Sequence, residues 1–204
     1  MPQVLKEEVR DRIVNAAEVV FAARGYRGAT MAAIAERAGL STGNLYRYFR
    51  SKSGLFEHML GPGFVETFDR LLEERVASLS AQELTAPSDP AREADARMLR
   101  FWFAHRLRVV VLLDRAEGST HAGFGPRFVA RLSSMVATQL ERELGRSLSD
   151  AAALMLEQIF ETSRRSVVAI LERYEDEDVL LEAFAAFRSY QLAGLAGFRR
   201  WIRS

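Results

Sequence analysis

The apolar residues of this 204-residue chain recur three and four positions apart almost from end to end, a spacing that leaves room for little but helices. Ile13, Ala16, Ala17, Val20 and Phe21 mark one face of a first helix over 7–24, and Gly25 can end it by taking the left-handed conformation. Thr30 caps a short second helix with the stripe Met31, Ile34, Ala35 and Ala38. Gly39 ends that helix. Ser41 caps a third, which carries Leu45 and Phe49 inward, and Ser51 caps a fourth with Leu55, Phe56, Met59 and Leu60. Further helices are expected over 64–79, 96–115, 126–145, 149–174 and 178–202. Pro87 and Pro90 mark a loop over 80–95, and Gly118, Gly123 and Gly125 mark another over 117–125. No alternating strand pattern competes. The expected fold class is all-α, with an N-terminal three-helix helix-turn-helix domain over 1–60 and a C-terminal helical bundle domain over 61–204 that dimerises.

Composition removes several functional classes. Apolar residues make up 49% and charged residues 27%, ordinary values for a globular chain long enough to bury a core. The longest apolar run, Val-Val-Val-Leu-Leu at 109–113, is far below the ~18 residues that span a bilayer. The N-terminus lacks an apolar signal core, so a cytoplasmic protein without a membrane partner is expected. There is no cysteine, which excludes disulfides, thiolate metal sites and cysteine nucleophiles. His58, His105 and His121 are isolated and lack metal-ligand spacing; Glu117 and His121 with Asp114 surround a glycine loop and make a poor metal site. No glycine-rich phosphate loop follows a strand. No metal, cofactor or enzymatic activity is therefore expected, and the classes that compete are a DNA-binding regulator, a helical interaction module and an enzyme.

Charge is distributed unevenly. Residues 1–60 hold nine Lys/Arg and six Asp/Glu, hence +3; residues 61–204 hold nineteen and twenty-one, hence −2, and together these return the net +1. The excess is small, and its meaning depends on where the cations sit.

The informative stretch is Thr30 to Lys52, in which two short amphipathic helices are joined by Gly39-Leu40-Ser41. A short glycine-containing turn between two such helices is the helix-turn-helix pattern. With Leu45 and Phe49 facing the core, Thr42, Gly43, Asn44, Tyr46 and Arg47 are left outside. That face offers hydrogen-bonding and aromatic groups, a glycine that permits close approach, and no acid. A recognition helix presents such groups to base edges in the major groove.

The stretch from Arg12 to Leu60 resembles the DNA-binding domain of TetR/AcrR-type regulators. The matching residues are Ile13, Ala16, Ala17, Phe21, Gly25, Thr30, Ile34, Ala35, Ala38, Gly39, Ser41, Leu45, Tyr46, Phe49, Lys52 and Phe56. The resemblance covers about a quarter of the chain and implies a homodimer on a double-stranded DNA operator. It implies that Thr30 holds a phosphate, that Tyr46 and Tyr48 contact the backbone or a thymine methyl, and that Lys52 pairs with a phosphate at the start of the fourth helix. The sequence departs from the family pattern at Thr42, where a basic residue is common, and at Asn44, where a small hydroxyl residue is usual. Asparagine can read adenine and arginine can read guanine, so Asn44 and Arg47 are the candidates for sequence readout.

The C-terminal body carries two long apolar stripes, Met155 to Tyr174 and Leu180 to Trp201, with Gly194 and Gly197 permitting close approach. The resemblance implies that these last two helices join their copies in a four-helix dimer interface. The central helix aligns Met98, Phe101, Trp102, His105, Val109 and Leu112. Together with Phe68 and Phe128 this stripe could line an apolar cavity for a small-molecule effector, with His105 as its one polar handle; it could equally be core. The reading is a sequence-specific DNA-binding transcriptional regulator, a repressor released by a small apolar ligand, with activation as the alternative.

Overall fold

The computed structural model describes residues 3–77 and 89–203. Among the described residues there are ten α-helices and one π-helical turn, and no strand. The helices are α1 (Gln3–Gly28), α2 (Met31–Arg37), α3 (Thr42–Tyr46), α4 (Lys52–Met59), α5 (Pro62–Ala77), α6 (Asp89–Ala104), α7 (Arg106–Val110), α8 (Phe124–Leu144), α9 (Asp150–Arg173) and α10 (Glu177–Trp201); the π turn is Val111–Arg115. Helix starts follow their capping residues. The side chains of Thr30, Ser41, Ser51, Ser149 and Asp176 each accept the backbone N–H three residues on.

The chain divides into two compact units, one of residues 1–65 with 107–124, the other of 66–106 with 125–204. The expected division at 60/61 lies near the first crossing, but 107–124 groups with the N-terminal residues instead of the C-terminal body. The physical reason is the apolar run at 109–113. Val109, Val110 and Val111 are 0% exposed and Leu112 and Leu113 at most 2%, so the segment is apolar on every side and must be enclosed on every side. Within the first unit it joins a core of Ile13, Ala17, Phe21, Ile34, Leu45, Leu55 and Phe56. Phe21 and Phe56 meet edge to face at 5.0 Å, and Tyr26 meets Phe56 at 4.8 Å. Arg108 ties the segment to α1 by donating to Glu18 at 2.6 Å.

Two helix ends differ from expectation. α1 runs past residue 24 and kinks at Gly25, whose φ of 66° and ψ of 168° are open to glycine. α6 begins at Asp89, so Pro90–Asp95 is helical; proline is tolerated in a first turn, where its missing N–H has no partner to lose. The rest of the expected 80–95 loop, with Pro87, lies outside the described residues. The central helix of 96–115 is likewise a sequence of α6, α7 and the π turn, with a break at His105.

The second unit packs α5, α6, α8, α9 and α10. Phe160, Leu156 and Leu171 of α9 are at most 2% exposed. Gln191 of α10 donates to the Ser163 hydroxyl of α9 at 2.8 Å, and that hydroxyl donates to the Ile159 carbonyl at 2.7 Å. Asp95 of α6 is buried and holds Arg75 of α5 and Arg188 of α10. Burial depresses the Arg75 pKa, against which the Asp95 carboxylate works.

Candidate nucleic-acid interface

The turn between α2 and α3 is built by hydrogen bonds that the sequence implies. Gly39 has φ +65°; its N–H reaches the Glu36 carbonyl at 3.0 Å and the Leu40 N–H reaches the Ala35 carbonyl at 2.9 Å. This pair of bonds is the glycine-dependent helix stop known as the Schellman motif. The next helix starts at once, because the Ser41 hydroxyl accepts the Asn44 N–H at 3.2 Å.

α3 is short, and Arg47 is its C-cap. Leu45 is 0% exposed and Phe49 5%, so both point into the core as expected. Opposite them Thr42, Gly43 and Arg47 are exposed, Tyr46 is 47% exposed, and Asn44 and Tyr48 are half-buried. A Cβ built on Gly43 would meet no atom within 4 Å. The fold therefore does not require glycine there, although glycine weakens a helix. Thr30 is exposed at the start of α2, and its Oγ1 accepts the Ala33 N–H at 3.1 Å. All eight expected DNA-contacting residues thus lie on exposed or half-exposed positions of one compact unit.

Lys52 is different. Its Nζ donates to the carbonyls of Tyr26 and Ala29 at 2.6 and 2.9 Å and lies 4.4 Å from the centre of the Tyr26 ring. The ammonium expected on a phosphate is engaged inside its own unit.

Arg37 and Arg50 are exposed beside this face and were not among the expected contacts. Neither they nor Arg47 form an ion pair among the described residues. Their signal in the sequence is the absence of any acid three or four positions away, the spacing at which helical charges pair. Behind the face, the Arg10 guanidinium covers the Phe49 ring at 5.1 Å. The His58 ring lies 5.3 Å from Phe49, and its pKa is lowered by burial first and then by Arg10 and Arg108, with Asp11 opposing.

The description "Bacterial regulatory proteins, tetR family" fits residues 13–59, the whole helix-turn-helix together with most of α1 and α4. Over this stretch, about a quarter of its length, the chain is similar to the TetR family. Proteins that this chain resembles include the probable HTH-type transcriptional regulator YttP of Bacillus subtilis, 30% identical over 78 residues, 38% of this chain and 37% of that protein. The HTH-type transcriptional repressor KstR of Mycolicibacterium smegmatis is 42% identical over 59 residues, 29% of each chain. The chain thus spans only about a third of the length of these relatives. Among solved structures, the fatty acid degradation regulator FadR from Bacillus halodurans covers 92% of this chain and 96% of its own, at 20% identity and a TM-score of 0.48.

The residues expected to line an effector cavity do not stay together. Phe68 lies 5.6 Å from Phe128 and 6.4 Å from Phe101, which lies 4.8 Å from His105. Trp102, one position and about 100° further round the helix, turns to Phe184 of α10 at 5.6 Å. Leu112 is 1% exposed in the π turn of the first unit. Phe68, Phe101, His105 and Phe128 thus form one aromatic cluster of the second unit. The second unit has a groove of about 530 Å³ between α9 and α10, lined by Met155, Ile159, Gln191, Gly194, Phe198 and Trp201 among others. A second groove, of about 550 Å³, is lined by Glu73, Met135, Thr138 and Arg142 with their neighbours. None of the six expected effector residues lines either groove. Among the described residues no group of acids and histidines is placed to hold a metal ion, and no helix is long and apolar enough to cross a membrane.

Proposed function

We propose that this chain is a sequence-specific DNA-binding transcriptional regulator acting in the cytoplasm. The observation that carries the reading is the acid-free face of α3, with Arg47 exposed and unpaired and Arg37 and Arg50 likewise unpaired beside it. Asn44 and Arg47 read bases; Thr30, Thr42, Tyr46, Tyr48, Arg37 and Arg50 face the sugar–phosphate backbone, and Gly43 lets it come close. The functional unit is a homodimer joined through α9 and α10. Leu154, Met155, Tyr190 and Trp201 on those helices are 56%, 48%, 72% and 52% exposed, an apolar face that a second copy would cover. The chain acts as a repressor. A small apolar ligand that prefers the DNA-incompetent state, seated by Phe68, Phe101, His105 and Phe128, releases it.

The test is enrichment of a random duplex library on the full chain, followed by salt titration on the selected sequence. A two-fold symmetric site with half-sites about 34–36 Å apart is expected. Two subunits neutralising about four to six phosphates give a log–log salt slope of roughly −4 to −5. No enriched sequence, or a slope near zero, would overturn the reading.

A further inference from the structure

Lys52 opens α4, yet its side chain turns back to the end of α1. The Tyr26 and Ala29 carbonyls that it holds sit at the C-terminal end of that helix, where backbone carbonyls favour a cation. The Tyr26 ring at 4.4 Å presents its negative face to the same ammonium. That ring is fixed in turn, 4.8 Å from Phe56 and 5.9 Å from Phe21 in the core. Two of the three ammonium hydrogens are thus engaged in a partly buried site of defined shape. Ala29 directly precedes Thr30, the residue that caps α2. One side chain therefore ties the first residue of α4 to the last turn of α1 and to the start of α2.

We propose that Lys52 is a positioning residue: it clamps the corner at 26–30 and so sets the start of the helix-turn-helix, and its charge is not used on a phosphate. The proposal rests on the DNA-binding reading for its effect on affinity, but the clamp itself can be tested without DNA. Lys52→Met keeps the aliphatic stem and removes the charge and donors. Lys52→Arg keeps the charge but replaces the compact ammonium with a longer planar group. In amide hydrogen exchange on the DNA-free chain, Lys52→Met should speed exchange of Ala33 and Ile34, in the first turn of α2, by about tenfold or more. Unchanged protection there overturns the clamp. In a salt titration on the selected duplex, Lys52→Met should bind about tenfold more weakly with the wild-type slope. A slope shallower by about 1.8, the value for one lost phosphate contact in each subunit, overturns it, as does wild-type affinity for Lys52→Arg. Should Lys52→Met not fold, both measurements on Lys52→Arg decide. A wild-type chain that binds no duplex defeats the DNA-binding reading alone, and the exchange experiment still decides the clamp.

Discussion

Among the described residues, many arginines of the second unit are paired with acids, and Arg37, Arg47 and Arg50 of the helix-turn-helix are not. Arg97 meets Glu74 at 3.0 Å, Arg131 meets Asp69 at 3.0 Å, Arg199 meets Glu143 at 2.9 Å, and Arg75 and Arg188 share Asp95. Arg37, Arg47 and Arg50 in the first unit are exposed and form no ion pair among the described residues. Net charge differs modestly, +3 over residues 1–60 against −2 over 61–204, and does not say which arginines are paired. Placement does: Arg70, Arg97 and Arg165 each have a glutamate four positions away on the same helix face, whereas the arginines around α3 have none. Charges in the second unit hold helices together; those around α3 remain available to a polyanion.

The comparison can be broken at four points. The largest effect should come from Asp95→Ala, which removes the buried acid that Arg75 and Arg188 share. A loss of about 3–5 kcal/mol in urea unfolding is expected, and a loss below about 1 kcal/mol would show that these arginines do not depend on their acid. Arg47→Ala should do the reverse. Stability should stay within about 0.5 kcal/mol, while operator binding weakens by about 1–3 kcal/mol and preference flattens at one base pair. Unchanged binding would move the reading face elsewhere.

A smaller effect, with opposite signs for folding and binding, is expected from Gly43→Ala. Its Cβ meets nothing within 4 Å, so helix propensity alone should stabilise the fold by up to about 1 kcal/mol. The same methyl group should weaken DNA binding several-fold; equal affinity would show that no DNA approaches that surface.

The smallest effect is a difference in acid response. His58 has its pKa lowered from 6.5, so the unfolded chain takes up a proton first. Its contribution is present above pH 6.5 and is lost as pH falls below that value. Glu161 in the second unit is held at about 2, against 4.5, chiefly by the hydrogen bond from Arg164 and then that from Arg165. Its contribution is present above pH 4.5 and is lost as pH falls toward 2, and after solvent screening it amounts to less than about 1 kcal/mol. Urea midpoints from pH 7.5 to 3.5 check both: His58→Gln should flatten only the upper window and Glu161→Gln only the lower. A His58→Gln profile identical to wild type between pH 7 and 5.5 would remove the proposed difference.

Much of the helix-turn-helix was legible because its signals are local. A hydroxyl three residues before an N–H, a glycine where φ must be positive and an i, i+3, i+4 stripe lie within one or two turns, so Thr30, Gly39, Ser41 and Ser51 could be placed from spacing alone. The effector lining was less legible. Phe101 and Trp102 belong to one stripe on a helical wheel, yet each meets a different partner helix, and the wheel does not say which.

The sequence by itself determined an all-helical chain, the caps that start its helices and the acid-free face of α3, since each follows from the backbone chemistry of neighbouring residues. Only the tertiary structure decided that 107–124 groups with the N-terminal residues, that Trp102 and Leu112 leave the aromatic cluster, and that Lys52 turns inward. The reason is the same in each case. A five-residue run apolar on all sides has no face to read, a helical stripe does not name its partner, and a lysine stem reaches as readily to a carbonyl 26 positions away as to a phosphate.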